Sequence, residues 1–214
     1  MAELAFEWIK GLAFVGLSLA LTTILQRLMT SALAALDTSA PVMVRSNGVV
    51  AVAFAVFCMF YFQTWPLRIA ALGLALSLWL LALADWHSGL LPDRFTLPLL
   101  WAGLLVNLFI ARVPVEDAVL GATLGYGFLW ALVQAFYWLS GRHGMGYGDL
   151  KLTGALGAWL GWQPLLPVLL VASLSGLLWV VICRFLYSEP WARVIIFGPW
   201  LALAGFMQFL IYYR

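Results

Sequence analysis

Charged residues are scarce in this chain. Asp, Glu, Lys and Arg together make up 9% of its 214 residues, whereas about 25% is usual for a soluble domain. Hydrophobic residues make up 65%, and the mean hydropathy is +1.02. These values exclude a soluble globular domain and a disordered chain, and the net charge of +2 excludes the dense basic surface of a nucleic-acid-binding protein. The composition is typical of a polytopic membrane protein, with membrane lipid as its surroundings.

Cysteine is almost absent as well. The chain has two, Cys58 and Cys183, and each lies inside an apolar run. The sequence therefore offers neither a disulfide framework nor a Cys-x-x-Cys zinc site. We expect both thiols to be buried structural groups.

The charged residues divide the chain into apolar segments. A transmembrane helix needs about 20 residues with few charges, and seven uncharged runs are present: 11–26, 46–67, 69–84, 95–111, 118–141, 152–183 and 194–213. The run 152–183 is too long for one crossing and is interrupted by Gly161-Trp162-Gln163-Pro164, so we divide it into a short segment, 150–161, and a full span, 165–186. The sequence predicts an all-α polytopic protein of about eight transmembrane segments, centred near residues 17, 56, 76, 104, 128, 156, 175 and 203.

We expect residues 1–214 to form a single transmembrane domain without a separate soluble domain. The longest polar connection, residues 29–47, is too short to fold alone, and no internal repeat is visible. Glu3 and Glu7 stand where a cleaved signal peptide has a basic region, which favours a retained first helix.

The distribution of Lys and Arg predicts the orientation. With the N-terminus outside the cytoplasm, the cytoplasmic ends hold seven basic residues and the other side four. The seven are Arg27, Arg45, Arg94, Arg142, Lys151, Arg184 and Arg193, and the four are Lys10, Arg68, Arg112 and Arg214.

Polar residues collect in two stretches. Residues 84–94 close the third span and contain Asp85, and residues 144–151 open the short sixth segment and contain Asp149. The chain crosses the membrane twice between them, so both carboxyl groups are expected at one face, the cytoplasmic one. Two neighbouring carboxyl groups cannot both ionise cheaply, so one keeps a proton while the other is charged. Such a pair can activate a water molecule to hydrolyse an amide bond without a metal or another cofactor.

The residues around the two aspartates have several interpretations. Gly144, Gly146 and Gly148 allow positive φ angles and the close approach of a substrate backbone, and their spacing does not match a phosphate-binding loop. Either aspartate alone could be a helix cap or an interfacial charge. Asp93 is best interpreted as a helix N-cap. His87 is either an exposed loop residue or a neighbour that tunes Asp85, and Lys151 either extends to the interface or balances Asp149.

Three stretches resemble the type IV prepilin peptidases, bacterial membrane aspartic peptidases with a GxGD motif. They are Ala84-Asp85 through Pro92-Asp93, GMGYGDLKLTGALGAWLGW at 144–162, and Phe197-Gly198-Pro199-Trp200-Leu201-Ala202, and the likeness covers residues 75 to 205. The resemblance implies that Asp85 and Asp149 are the catalytic pair at the cytoplasmic edge of the bacterial inner membrane. It implies that the substrate is the basic leader of a type IV prepilin or a type II secretion pseudopilin, with pilus or secretion assembly components as further partners.

The sequence also departs from that family. Many members have an Asp where this chain has His87, and longer members insert a cytoplasmic domain with paired Cys-x-x-Cys motifs and methylate the new N-terminus. Residues 29–47 contain no cysteine, so the resemblance predicts leader cleavage and does not extend to N-methylation.

Two alternatives belong to other functional classes. A proton-coupled transporter would need carboxylates near the middle of its spans and repeated halves, whereas both aspartates lie at helix ends. A non-catalytic assembly subunit of a pilus or secretion machine would keep the fold without activity, but both aspartates and the loop glycines are present.

Overall fold

The computed structural model describes residues 2–34, 47–110, 112–141, 144–187 and 196–213. All regular structure in these ranges is α-helical, in the order α1 (Ala2–Ala34), α2 (Asn47–Tyr61), α3 (Trp65–Ser88), α4 (Asp93–Ile110), α5 (Val115–Ser140), α6 (Tyr147–Leu160), α7 (Leu165–Tyr187) and α8 (Gly198–Tyr212). The predicted all-α class is confirmed, and each predicted segment centre lies inside one of these helices. Most of the predicted polar connection 29–47 lies outside the described residues, as do Arg45, Arg142, Arg193 and Arg214 of the orientation argument.

Five described helices are long and apolar enough to cross a membrane. Their apolar segments are Trp8–Ala32, Trp65–Ser88, Asp93–Ile110, Val115–Ser140 and Leu165–Leu186, while Gly48–Tyr61 and Gly198–Tyr212 are shorter apolar helices. The protein is therefore a polytopic helical membrane protein. The remaining helix, α6, has 14 residues and is about 21 Å long, less than the hydrocarbon thickness of about 30 Å.

The predicted break in the long apolar run 152–183 is also present. It lies between α6 and α7, where Gly161 has φ +82° and its N–H donates to the carbonyl of Gly157 at 2.8 Å. The ψ of 179° at Gly161 lies outside the left-handed helical region, in a conformation that essentially only glycine adopts, so the helix cannot continue through this residue.

The chain divides into two compact units. The first, Met1–Leu80, contains α1, α2 and the first part of α3. Inside it, the Phe14 and Trp65 rings pack edge to face with centroids 5.8 Å apart, and the Arg68 guanidinium lies 4.7 Å from the centre of the Trp65 ring. Cys58 is fully buried, as expected for a structural thiol.

The second unit, Leu81–Tyr213, contains the end of α3 and all of α4 to α8. Its central element is α6, in which every residue from Leu152 to Leu160 is buried. Gly157 of α6 lies against Gly121 of α5 so closely that a β-carbon on either residue would overlap the backbone of the other. Cys183, in α7, is half-buried, so the expectation of a buried thiol is wrong here, because residues 177–186 of this helix are all exposed or half-buried.

Hydrogen bonds fix the C-terminal end of α6. The side-chain amide of Asn107 donates to the carbonyls of Ala158 and Trp159 at 2.9 and 3.0 Å. The Tyr213 hydroxyl lies 2.6 Å from Asn107 Oδ1, and the Trp159 indole donates to the Leu99 carbonyl at 2.9 Å. These groups are buried, so this network holds the helix whose other end carries Asp149.

Candidate active site

Asp85 lies in the last turn of α3, in the second unit. Its carbonyl accepts a hydrogen bond from the N–H of Gly89 at 2.8 Å, and Gly89 has φ +64°, so the helix ends one turn beyond the carboxyl group. Asp85 is only 6% exposed. Its carboxylate Oδ2 accepts a hydrogen bond from the backbone N–H of Gly198 at 2.9 Å. The start of α8 therefore holds the orientation of this carboxyl group.

Gly198 leaves no space for a side chain beside Asp85. A β-carbon at position 198 would lie 2.5 Å from Asp85 Oδ2 and 2.9 Å from its Cγ, distances that β-carbons in proteins essentially never show. Pro199 follows in the first turn of α8, where a residue without an N–H costs nothing. The sequence Gly-Pro thus begins the helix and brings a free backbone donor against the carboxyl group.

Asp149 lies in the first turn of α6, three residues after the N-cap Gly146. It is 9% exposed, and its Oδ1 is buried without a hydrogen-bond partner among the described residues. Burial raises the pKa of the Asp149 carboxyl from its ordinary 3.8 to about 7, and the negative charge of Asp85 adds to this shift. The two carboxyl groups are therefore close enough to interact electrostatically, and Asp149 favours its protonated form up to neutral pH.

Contacts between other residues bring these two helix ends together. Gly148, directly before Asp149, lies against Leu91 in the segment that follows α3, where a β-carbon at 148 would come within 2.7 Å of Leu91 Cβ. Gly205 of α8 lies against the Leu156 side chain of α6 in the same way. The C-terminal end of α3 and the N-terminal ends of α6 and α8 consequently meet at one end of the second unit.

The three loop glycines do not use the positive φ angles that glycine allows. Positive φ angles among the described glycines occur at Gly89, Gly141 and Gly161.

Space, and not a left-handed backbone, accounts for two of the three loop glycines. Gly148 touches Leu91, and a β-carbon at Gly144 would lie 2.8 Å from the Phe136 ring. Gly146 has an extended backbone, φ −75° and ψ 142°, and the nearest atom to a β-carbon there would be Asp149 Oδ2 at 3.9 Å.

The other predicted residues separate into two groups. His87 is exposed in the last turn of α3, two residues from the buried Asp85 and therefore on a different side of the helix. Lys151 and Asp93 lie together: the Lys151 ammonium donates to Asp93 Oδ1 and Oδ2 at 2.6 and 2.7 Å. Asp93 is the first residue of α4, but its carboxylate accepts from Lys151. Lys151 accordingly pairs with Asp93 and not with Asp149.

The described residues suit hydrolysis by a carboxyl pair. They contain no group of three or more His, Cys, Asp or Glu side chains that could hold a metal ion. At this end of the second unit, the Asp85 carboxyl group accepts a hydrogen bond from a backbone N–H, and the Asp149 carboxyl group is buried and has a raised pKa. A general base and a general acid side by side are the requirement for adding water to an amide carbonyl.

Gly198 is a site residue to which the sequence pattern assigned no role. The stretch that contains it resembles the family, but its partner Asp85 lies 113 residues away in the chain, so no local pattern connects the two. The local signal is a glycine immediately before the proline of a helix start, and this pattern does not indicate a contact with a distant carboxyl group.

Comparison with known proteins identifies the family of the chain. The sequence profile of the type IV leader peptidase family matches residues 72–181, which include Asp85 and Asp149. Three curated relatives are each named prepilin leader peptidase/N-methyltransferase. That of Aeromonas salmonicida (strain A449) is 51% identical over 66% of this chain and 49% of its own length. That of Dickeya chrysanthemi is 49% identical over 69% and 53%, and that of Escherichia coli (strain K12) is 43% identical over 60% and 56%.

The chain spans about half the length of these curated relatives. No solved structure matches it. The family profile covers more than half of the chain, including both buried aspartates, and on this ground the chain belongs to the type IV leader peptidase family.

Proposed function

We propose that this protein is a membrane-embedded aspartic endopeptidase that removes the basic leader peptide of type IV prepilins or type II secretion pseudopilins. The observation that carries the proposal is the pair of buried carboxyl groups, Asp85 and Asp149, which interact at one end of the second unit. The relatives' names support prepilins as the substrate class. The Lys and Arg distribution supports an inner-membrane protein with this end at the cytoplasmic face.

The two carboxyl groups have different surroundings, which supports different roles. The N–H of Gly198 donates to Asp85 Oδ2, and a hydrogen-bond donor favours a carboxylate over a carboxylic acid. Asp149 is buried, one of its oxygens has no partner, and its pKa is about 7. Asp85 is therefore the general base in the proposed reaction, and Asp149 is the general acid.

The reaction then proceeds as follows. Asp85 takes a proton from a water molecule while the water oxygen bonds to the carbonyl carbon of the scissile peptide, and Asp149 donates its proton to the carbonyl oxygen. The resulting tetrahedral intermediate loses its C–N bond as the proton held by Asp85 passes to the leaving nitrogen. One hydroxyl proton of the intermediate returns to Asp149 as the carboxyl product forms. Water is consumed, and both side chains end in their starting protonation states.

The test uses purified protein in detergent, a prepilin with its leader, and no metal ion or S-adenosylmethionine. We expect the wild-type protein to shorten the prepilin, and Asp85→Asn and Asp149→Asn each to abolish cleavage while keeping the melting temperature of a folded protein. Asp117→Asn is the matched control, since Asp117 accepts a hydrogen bond from the Trp162 indole at 3.1 Å near the opposite end of α6. Cleavage that persists in either of the first two variants would rule out the carboxyl-pair mechanism.

A further inference from the structure

Lys151 and Asp93 connect the two chain segments that carry the carboxyl pair. Lys151 lies in α6, two residues after Asp149, and Asp93 begins α4 at the end of the short segment that follows Asp85 and α3. The Lys151 ammonium bonds both Asp93 oxygens, at 2.6 and 2.7 Å. This ion pair therefore ties the segment after one catalytic aspartate to the helix of the other.

A second contact supports the same connection. Leu91, two residues before Asp93, is buried and lies directly on Gly148, the residue before Asp149. The segment 89–93 is thus held to α6 on both sides of Asp149, by packing at position 148 and by the ion pair at position 151. Positions 148 and 151 are three apart and therefore lie on one face of α6, and two contacts on that face restrain the segment more than a single contact does.

The ion pair acts on geometry more than on charge at the site. Residues two positions apart on a helix point to different sides, so Lys151 does not face Asp149. Its charge is neutralised by Asp93 through two short hydrogen bonds. The Lys151 ammonium is therefore engaged by Asp93 and does not compete for the carboxyl pair.

We propose that Lys151 and Asp93 are a positioning pair that sets the spacing of Asp85 and Asp149. This inference rests on the proposed peptidase function. The side chains of Lys151 and Asp93 are 29% and 57% exposed, and an ion pair at this exposure contributes little to stability. Catalysis is more sensitive, because a displacement of about 1 Å can lower a rate about 100-fold. The pair should therefore matter to the rate far more than to folding.

The kinetic test compares Lys151→Met and Asp93→Asn, which remove one charge each and keep most of the side-chain volume. We expect each to lower kcat at least 10-fold, with KM within a factor of two of wild type and a melting temperature within a few degrees. The double variant should be no slower than the slower single variant, because both changes remove one interaction. Exchanging the charges, Asp93→Lys with Lys151→Asp, should recover at least a third of wild-type kcat. The matched control is Asp117→Asn, which breaks a polar contact near the other end of α6.

Two kinetic results would overturn the proposal. One is wild-type kcat in both single variants. The other is a double variant whose loss equals the product of the single losses, which would mean that the two residues act independently.

If the wild-type protein does not cleave prepilin, the proposed peptidase function is wrong, but the role of the ion pair in holding the segment can still be tested. That test is structural. In a protein with Leu91→Cys, Gly148→Cys, Cys58→Ser and Cys183→Ser, the side chains at positions 91 and 148 lie close enough to form a disulfide after slight adjustment. We expect Lys151→Met to slow formation of this disulfide at least 5-fold. An unchanged rate would mean that the ion pair does not hold the segment against α6.

Discussion

Replacing Gly198 by alanine is expected to separate catalysis from folding. The N–H of Gly198 donates to Asp85 Oδ2 at 2.9 Å, and an alanine β-carbon would lie 2.5 Å from the same oxygen. An ordinary contact is about 3.4–4 Å, so the carboxyl group must move by about 1 Å. A displacement of that size can lower a rate about 100-fold.

The lost hydrogen bond points to a similar magnitude. A hydrogen bond to a charged group contributes about 1.5–3 kcal/mol, which corresponds to about a 10- to 100-fold change in rate. Because both effects arise from one displacement, they overlap and are not multiplied. We expect Gly198→Ala to lower kcat about 100-fold. KM should change less than threefold, because Gly198 is buried against Asp85 and is not exposed to a substrate.

The measurement is the initial rate of leader removal by purified protein in detergent, over a range of prepilin concentrations, with a thermal melt of the same samples. Gly127→Ala is the control, because a β-carbon at position 127 in α5 meets nothing within 4 Å. That variant should keep wild-type kcat and melt at the same temperature or slightly above. A Gly198→Ala variant that is folded and as fast as wild type would refute the role assigned to this backbone donor.

Two further predictions concern stability. Asp149→Asn should raise the melting temperature at pH 8 and leave it nearly unchanged at pH 4. The pKa of Asp149 is about 7 in the folded protein against an ordinary 3.8, so between these pH values the folded protein keeps a proton that the unfolded chain releases. The free energy of unfolding of the wild-type protein therefore falls as the pH rises from 3.8 to 7. An equal shift at both pH values would contradict this reasoning. Asn107→Leu should destabilise the protein by about 1–3 kcal/mol in thermal or denaturant melts, because the carbonyls of Ala158 and Trp159 lose a buried donor; a melt unchanged from wild type would show that other donors replace it.

The membrane-spanning pattern could be predicted well because it depends on local composition. A charge inside the bilayer is costly wherever the chain folds, so uncharged runs alone locate the helices. The division of residues 152–183 at Gly161 succeeded for the same reason, since glycine and proline end helices through their own backbone properties. The helix boundaries were less exact: α1 extends to both sides of the run 11–26, through Lys10 and Arg27, because charged residues near a helix end can reach the interface.

The candidate aspartates were also visible in the sequence, as were their neighbours. The sequence did not show which of these neighbours contacts which aspartate. Lys151 stands beside Asp149 in the sequence but pairs with Asp93, and His87 stands beside Asp85 but points away from it. Helix geometry explains both cases, because residues two apart lie on different sides. Sequence proximity was therefore misleading for electrostatic partners.

The amino-acid sequence by itself determined that this is an all-helical membrane protein with two aspartates at helix ends. Each of those properties depends on a residue and its nearest neighbours in the chain. Only the tertiary structure decided that the backbone of Gly198 holds Asp85 and that Leu91 lies on Gly148. Those contacts join residues distant in sequence, and they form only when α3, α6 and α8 pack with their ends in register.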